Sequence, residues 1–315
     1  MRCLCCNKEI KNPNEQEEQT SWHSRCIRRF FGTSNMPQFD FSEEQIEKLA
    51  NSTVSKGLTV PGVQKKLSLH LDTVDKAGRL TLVDYPTGYI LKPSSDEFEA
   101  LPEAEFLSMK LAVMAGIPTV PNALFKVGHS CAYITKRIDR IGEQRLAMED
   151  FCQLSNRLTV DKYKGSYENC GKIIRKYSKN VGIDEYDFFY RLIFCFLTGN
   201  SDMHLKNFSL IEDDPGSRVF GLSAAYDLLP VNIIVPQDME QMALTVNGKK
   251  RNIRKKDFFI LAEHLELSNQ TVQKILVRLL KLKEKMIAEV NMSYLPEEMK
   301  EELVKLMEER SKVFA

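Results

Sequence analysis

The spacing of apolar residues changes from two to about 3.6 near Arg140, and this change restricts the fold more than any other feature of the chain. Before that point, Leu67-Ser-Leu-His-Leu71 and Leu80-Thr-Leu-Val83 alternate like half-buried strands. Tyr89-Ile-Leu-Lys92 is a further strand stopped by Pro93, and Cys131-Ala-Tyr-Ile-Thr135 is another. One helix falls among them, from Leu101 to Met114, with Gly116 and Pro118 as its stop signals. Ser42 to Asn51 reads as a short helix, followed by the turn-prone segment from Ser55 to Gly62. After Arg140 the pattern turns helical. Asp184 to Leu197 is a strongly apolar helix with Asp184 as its cap. Phe208–Ile211 and Val219–Leu222 read as a hairpin around Asp213-Asp-Pro-Gly216. Lys256–Glu266, Ser268–Val290 and Pro296–Lys312 are amphipathic helices. The expectation is an α+β chain in three parts: a small Cys/His unit over residues 1–35, a β-rich lobe over 50–135 and a helical lobe over 139–315.

The chain has 315 residues, enough for two lobes with a substantial core. Its 44 Lys and Arg against 43 Asp and Glu leave a formal charge of +1, which gives no whole-chain argument for nucleic acid or an anionic membrane. The densest cationic run, Lys249 to Lys256, reads as a solvated loop entering a helix. No stretch approaches the roughly 18 apolar residues of a membrane span, and the first residues lack the apolar core of a signal peptide. The chain therefore reads as cytoplasmic, and its eight cysteines as reduced thiols or metal ligands.

The most chemically specific segment is Gly199-Asn-Ser-Asp-Met-His-Leu-Lys-Asn-Phe208, set after an apolar helix and before a hairpin strand. Asp202 and Asn207 have the Asp-x4-Asn spacing of a kinase catalytic loop. Phosphoryl transfer needs a carboxylate to take the proton of the attacking hydroxyl, which Asp202 can do. It also needs oxygen ligands for magnesium; Asn207 supplies one, and Asp227 of Ala225-Tyr-Asp-Leu228 a second. A phosphate-pairing lysine is expected on an earlier strand, and Lys92 fits. Its acidic partner is expected on the next helix, as Glu105, or failing that Glu103. The glycine-bearing segment from Gly57 to Lys66, with Gly62, Val63 and Gln64, is the candidate cover for the phosphates. The Asp-x-His-x-x-Asn form also matches lipid kinases, so the loop alone leaves the substrate open. A non-catalytic pseudokinase is a further alternative, disfavoured by the joint presence of Lys92, Asp202, Asn207 and Asp227.

Several segments in this order resemble one family. They are Val60-Pro-Gly-Val-Gln-Lys-Lys-Leu-Ser68, Ile90-Leu-Lys-Pro93, Glu105-Phe-Leu-Ser-Met-Lys-Leu-Ala112, Lys136-Arg-Ile-Asp-Arg140, Glu149-Asp-Phe-Cys-Gln153, the Gly199–Asn207 loop and Ala225-Tyr-Asp-Leu228. Together they resemble the HipA family of bacterial toxin kinases, over about residues 50 to 290. The short form looks most like the HipT branch. The resemblance implies a bilobal protein-kinase-like (PI3/4-kinase-like) fold and a serine/threonine kinase using ATP and Mg2+. It implies Asp202 as base, Asn207 and Asp227 as metal ligands, Lys92 on phosphate, and His204 supporting the loop or touching phosphate. Lys136 to Ile138 would be the hinge that reads adenine through backbone groups, although Lys136 stands where HipA has Glu. Family members autophosphorylate a serine before the Gly-x-Gln motif. Thr59 holds that position here, with Pro61 where HipT has a second serine. The implied partners are a protein substrate such as an aminoacyl-tRNA synthetase, a helix-turn-helix antitoxin of HipB type and a small HipS-like protein. DNA contact would be indirect, through the antitoxin, and no membrane is implied.

The first 26 residues carry a separate signal. Cys3-x2-Cys6 and His23-x2-Cys26 offer four ligands in two close pairs, the pattern of a structural zinc site. Cys5 is left over and could replace Cys3 or Cys6. No acid with suitable spacing accompanies them, which argues against catalytic zinc. Cys131, Cys152, Cys170 and Cys195 are scattered and mostly in apolar surroundings, and read as inert thiols.

Overall fold

The computed structural model describes residues 1–46, 48–49, 65–73, 78–83, 87–142 and 144–314. They fall into two compact units, Met1–Phe106 with Val120–Arg140, and Leu107–Thr119 with Ile141–Ala315. The Cys/His-rich segment lies in the first unit, together with the sheet.

The first unit opens with two short helices, α1 (Glu15–Thr20) and α2 (Ser24–Phe31). Asn14 caps α1 through a reciprocal box with Glu17, and Gly32 ends α2 in the left-handed region at φ 80°. Five strands follow: β1 (Leu67–Asp72), β2 (Arg79–Val83), β3 (Tyr89–Lys92), β4 (Asn122–Val127) and β5 (Ser130–Lys136). They form one antiparallel sheet in the order β2-β1-β3-β5-β4. The register sets Lys92 opposite Tyr133 and Tyr89 opposite Lys136. The strand expectations at Leu67, Leu80, Tyr89 and Cys131 correspond to β1, β2, β3 and β5. The alternation is simplest in β1, where Leu67 and Leu69 are buried and His70 is exposed. β4 has no such alternation, because all but one of its residues are buried, and its sequence gives no period-two signal.

Helix α3 (Leu101–Ala115) continues from the first unit into the second and ends at Gly116, whose φ is +81°. The second unit holds β6 (Met148–Asp150), α4 (Phe151–Leu154), α5 (Tyr167–Tyr177), α6 (Val181–Leu197), β7 (Ser209–Glu212), β8 (Phe220–Leu222), α7 (Val231–Ile234), α8 (Lys255–His264), α9 (Asn269–Asn291) and α10 (Glu297–Lys312). The expected hairpin is β7–β8, and β6 completes a three-stranded antiparallel sheet with β7 at its centre.

One capping assignment is corrected. α6 begins at Val181 with Asn180 at its cap, so Asp184 lies in the first turn rather than at the boundary. Its carboxylate is needed elsewhere: it accepts the Ser178 hydroxyl at 2.5 Å and the Leu222 N–H at 2.8 Å, tying β8 to the helix. The run from Lys249 to Lys256 is less a solvated loop than a tether. Lys249 pairs with the fully buried Asp257 at 2.8 Å, Lys250 with Glu240 at 3.2 Å, and Lys255 donates to the Phe314 carbonyl. Burial works against the charge of Asp257. Hydrogen bonds from Lys249, the Arg254 N–H and Asn247 outweigh it and hold the carboxyl below its usual range.

Candidate functional site

The loop after α6 is positioned by alternation of buried and functional side chains. Met203, Leu205 and Phe208 are buried, which sets Asp202, His204 and Asn207 between anchors. Phe208 packs on Phe188 at 4.8 Å and Phe151 at 5.7 Å between ring centroids, and the Arg191 guanidinium stacks over it. Gly199, at φ +72°, lets the chain leave the helix, and the Asn200 N–H returns to the Cys195 carbonyl at 2.9 Å. Within the loop, the Asn207 amide Nδ2 donates to the Asp202 carbonyl at 2.9 Å, and the His204 N–H donates to the same oxygen at 2.8 Å. With Nδ2 so committed, Asn207 presents Oδ1, an oxygen of the kind magnesium takes.

Asp202 itself is held by a residue that sequence reasoning missed. Tyr163 donates its hydroxyl to Asp202 Oδ1 at 2.6 Å and sets its ring edge-on to His204 at 5.0 Å. Tyr163 lies 39 positions upstream in a segment without periodicity, so no sequence signal connects the two. Burial pushes the Asp202 carboxyl from 3.8 up to about 6; the Tyr163 hydrogen bond and Lys162 oppose that rise, and the charges of Asp227 and Asp238 reinforce it. Burial likewise lowers His204 to about 4, with Lys162 acting in the same sense, so the imidazole is neutral near pH 7. Its Nδ1 is buried without a hydrogen-bond partner among the described residues. Asp227 thus acts electrostatically on both Asp202 and His204, and the second unit brings these acids together. The segment carrying it is held by the Ala225 N–H on the Pro118 carbonyl at 2.7 Å and by Arg191 on the Ser223 carbonyl at 2.9 Å. Asp227 has φ +59°, a left-handed conformation that aspartate tolerates and that recurs at functional positions.

The first unit carries the second half of the expected constellation. Lys92 Nζ lies 2.7 Å from Glu105 Oε1, both side chains are at most 6% exposed, and Lys92 also sits 5.4 Å from the Tyr133 ring centroid. The structure pairs Lys92 with Glu105 rather than Glu103, whose carboxyl is pushed up by burial. At the expected hinge, Lys136 is exposed and Ile138 partly buried. The Lys136 N–H donates to the Pro121 carbonyl and the Arg137 N–H to the Gly88 carbonyl. Thr59, Gly62, Val63 and Gln64 lie outside the described residues.

The first unit also gathers Cys3, Cys6, His23 and Cys26, whose ligand atoms all lie within 4.8 Å of one another. Cys5 is not among them. A hydrogen bond with Cys26 favours the thiolate at Cys6, while one with Cys26 favours the protonated thiol at Cys3. Of the scattered cysteines, Cys152, Cys170 and Cys195 are buried; burial pushes Cys195 up to about 12 and the half-buried Cys131 up to about 11, as suits inert thiols.

A lysine–glutamate pair from strand and helix, an Asp-x4-Asn loop and a following aspartate are the parts of the protein-kinase-like class. Residues 58–287 match the HipA-like C-terminal domain family, and the chain belongs to it. It is 33% identical over 231 residues to a putative kinase, Y4dM, of Sinorhizobium fredii, covering 68% of this chain and 55% of that protein. It is 25% identical over 241 residues to the serine/threonine-protein kinase toxin HipA of Shewanella oneidensis, covering 66% of this chain and 53% of that one. The chain thus spans about half the length of these two curated relatives. Its fold resembles a chain in the structure of the Shewanella oneidensis toxin–antitoxin system of HipA, HipB and operator DNA. The TM-score is 0.69 at 19% identity, covering 88% of this chain and 72% of that one. The bilobal, kinase-like α+β expectation agrees with this fold. Among the described residues, no helix is long and apolar enough to cross a membrane.

Proposed function

We propose that the chain is an ATP- and magnesium-dependent serine/threonine protein kinase, the toxin half of a HipA-type toxin–antitoxin pair. The observation that carries this reading is Asp202. It is a partly buried carboxyl raised to about 6 in an Asp-x4-Asn loop, with a second acid, Asp227, acting on it. A base of that pKa is ionised at neutral pH yet basic enough to take a hydroxyl proton. Tyr163 holds one carboxylate oxygen and so orients the other toward an incoming serine or threonine. The donor set fits magnesium, since Asn207 and Asp227 offer hard oxygens. When bound, the ion and the nucleotide supply the transferable phosphoryl group and the charge that neutralises it. Lys92, held by Glu105 at 2.7 Å, would pair with nucleotide phosphates. His204, neutral and with a buried nitrogen that has no hydrogen-bond partner among the described residues, would support the loop or donate to phosphate.

The relatives named as kinases support the reaction class, and the Shewanella HipA supports the serine/threonine specificity. By analogy with its complex, the partner would be a helix-turn-helix antitoxin of HipB type, with DNA reached through that partner. The substrate we favour is a translation component such as an aminoacyl-tRNA synthetase, with autophosphorylation at Thr59. The experiment is phosphoproteomics of cell extract treated with wild-type and Asp202→Ala protein in ATP and magnesium. New phosphoserine or phosphothreonine sites only with wild type support the reading. Label recovered solely in lipid extract would favour the lipid-kinase alternative that the Asp-x-His-x-x-Asn form allows.

A further inference from the structure

We propose that Cys3, Cys6, His23 and Cys26 bind one structural zinc ion, and that this ion clamps an aromatic wedge onto the strand that carries Lys92. A tetrahedral zinc with Zn–S of about 2.3 Å and Zn–N of about 2.0–2.1 Å has S···S edges of about 3.8 Å and S···N edges of about 3.6 Å. Cys6 Sγ and Cys26 Sγ lie 3.4 and 3.9 Å from His23 Nδ1, on either side of that edge. All the ligand atoms lie within 4.8 Å of one another, so small side-chain shifts complete the tetrahedron.

The surroundings are those of a metal site rather than of incidental thiols. His23 Nε2 lies 3.2 Å from the Glu9 carbonyl, which fixes the ring and turns Nδ1 toward the thiols, as the outer partner of a ligating histidine does. Backbone N–H groups point at sulfur: His23 donates to Cys3 Sγ at 3.3 Å, and the backbone of Lys8 to Cys6. The Cys3–Cys6 turn is closed by Asn7 N–H on the Cys3 carbonyl at 2.8 Å and Cys3 N–H on the Lys8 carbonyl at 2.9 Å, with Asn7 at φ 57°. His23 is the N-cap of α2 and Cys26 lies in its first turn, so one short helix carries both ligands of the second pair. Three sulfurs and one imidazole form a closed set of the soft type that selects zinc and leaves no open coordination position.

The clamp follows from what the ligands flank. Trp22 precedes His23 and is fully buried; its Nε1–H donates to the Leu124 carbonyl of β4 at 3.2 Å. Leu4, between Cys3 and Cys5, accepts the Leu124 N–H at 2.8 Å. Phe30 and Phe31, on the helix that carries Cys26, meet Tyr89 of β3 at 5.8 and 5.6 Å between ring centroids. Side chains alternate across a strand, so Tyr89 faces this wedge while Lys92 faces away from it. Helices of six and eight residues do not persist unaided, and a four-ligand metal is a sufficient staple.

The test uses the whole 315-residue chain purified without added metal. Elemental analysis is expected to find one zinc per chain, retained in Cys5→Ser and lost in Cys6→Ser with Cys26→Ser. Cobalt exchange into the wild type is expected to give the charge-transfer and visible absorption of tetrahedral thiolate coordination, a readout that does not depend on the variant folding. Hydrogen exchange after chelation is expected to rise at least tenfold at amides around Leu124 and Tyr89, and to revert on adding zinc. Absence of zinc with no cobalt spectrum, or loss of zinc in Cys5→Ser, would overturn the site. Zinc loss with unchanged exchange in β3 and β4 would overturn the clamp.

Discussion

Asp202→Asn should make the protein more stable while destroying the proposed base. Burial raises the Asp202 carboxyl from 3.8 to about 6, so holding it ionised in the folded chain costs about 3 kcal/mol at neutral pH. Asparagine has no charge to desolvate and can still accept the Tyr163 hydroxyl at the same oxygen. The sign follows from proton binding. Between pH 3.8 and about 6 the folded state holds this proton more tightly than the unfolded state, so wild-type stability falls as pH rises through that window. Above it the penalty is complete; below it the penalty vanishes. The variant should therefore exceed wild type by about 2–3 kcal/mol at pH 7.5 and by roughly half that at pH 5. Urea titrations followed by circular dichroism, in magnesium-free buffer so that no added cation lowers the carboxyl, measure both values. A variant no more stable than wild type at pH 7.5, or a gap that does not shrink at pH 5, would refute the assignment of Asp202 as an acid whose desolvation raises its pKa.

Three further outcomes follow. Tyr163→Phe removes a hydrogen bond that lowers the Asp202 carboxyl, so the acid limb of any pH–rate profile should move upward from about 6, by up to roughly one pH unit for a bond to a charged group. Lys92→Ala and Glu105→Gln each remove one member of a buried ion pair and should cost about 3–5 kcal/mol, whereas the double change to Met and Leu should recover much of the loss in the same denaturation assay. Gly171→Ala on α5 would place a methyl 2.3 Å from the buried Leu265 Cδ2 and should lower stability by about 1–3 kcal/mol, read as a lower urea midpoint at unchanged slope.

The legible parts of the molecule were those set by local chemistry. The alternation in β1, the long apolar α6 and the β7–β8 hairpin each carry a period or a turn signal in a few consecutive residues. The spacing Asp202-x4-Asn207 and the two Cys/His pairs were legible for the same reason: the chemistry fixes how far apart the groups can sit. What escaped depends on contacts distant in sequence. β4 is buried on both faces and shows no alternation, so only its partner β5 reveals it as a strand. Asp184 looked like a cap because Asp favours caps, but the demand for an acceptor beneath β8 outweighed that preference. Tyr163 reaches Asp202 across 39 residues, and nothing in either segment announces the pairing. The basic run at Lys249 showed its charge but not the buried Asp257 that absorbs it.

Phosphate transfer by the Gly199–Phe208 loop can be measured directly. Purified wild type, Asp202→Asn and Asn207→Ala should be incubated with magnesium and γ-labelled ATP, with each variant's fold checked by its urea midpoint. Label is expected on serine or threonine of protein in wild type, with a loss of at least a hundredfold in a fully folded Asp202→Asn. Undiminished labelling in Asp202→Asn would contradict this expectation.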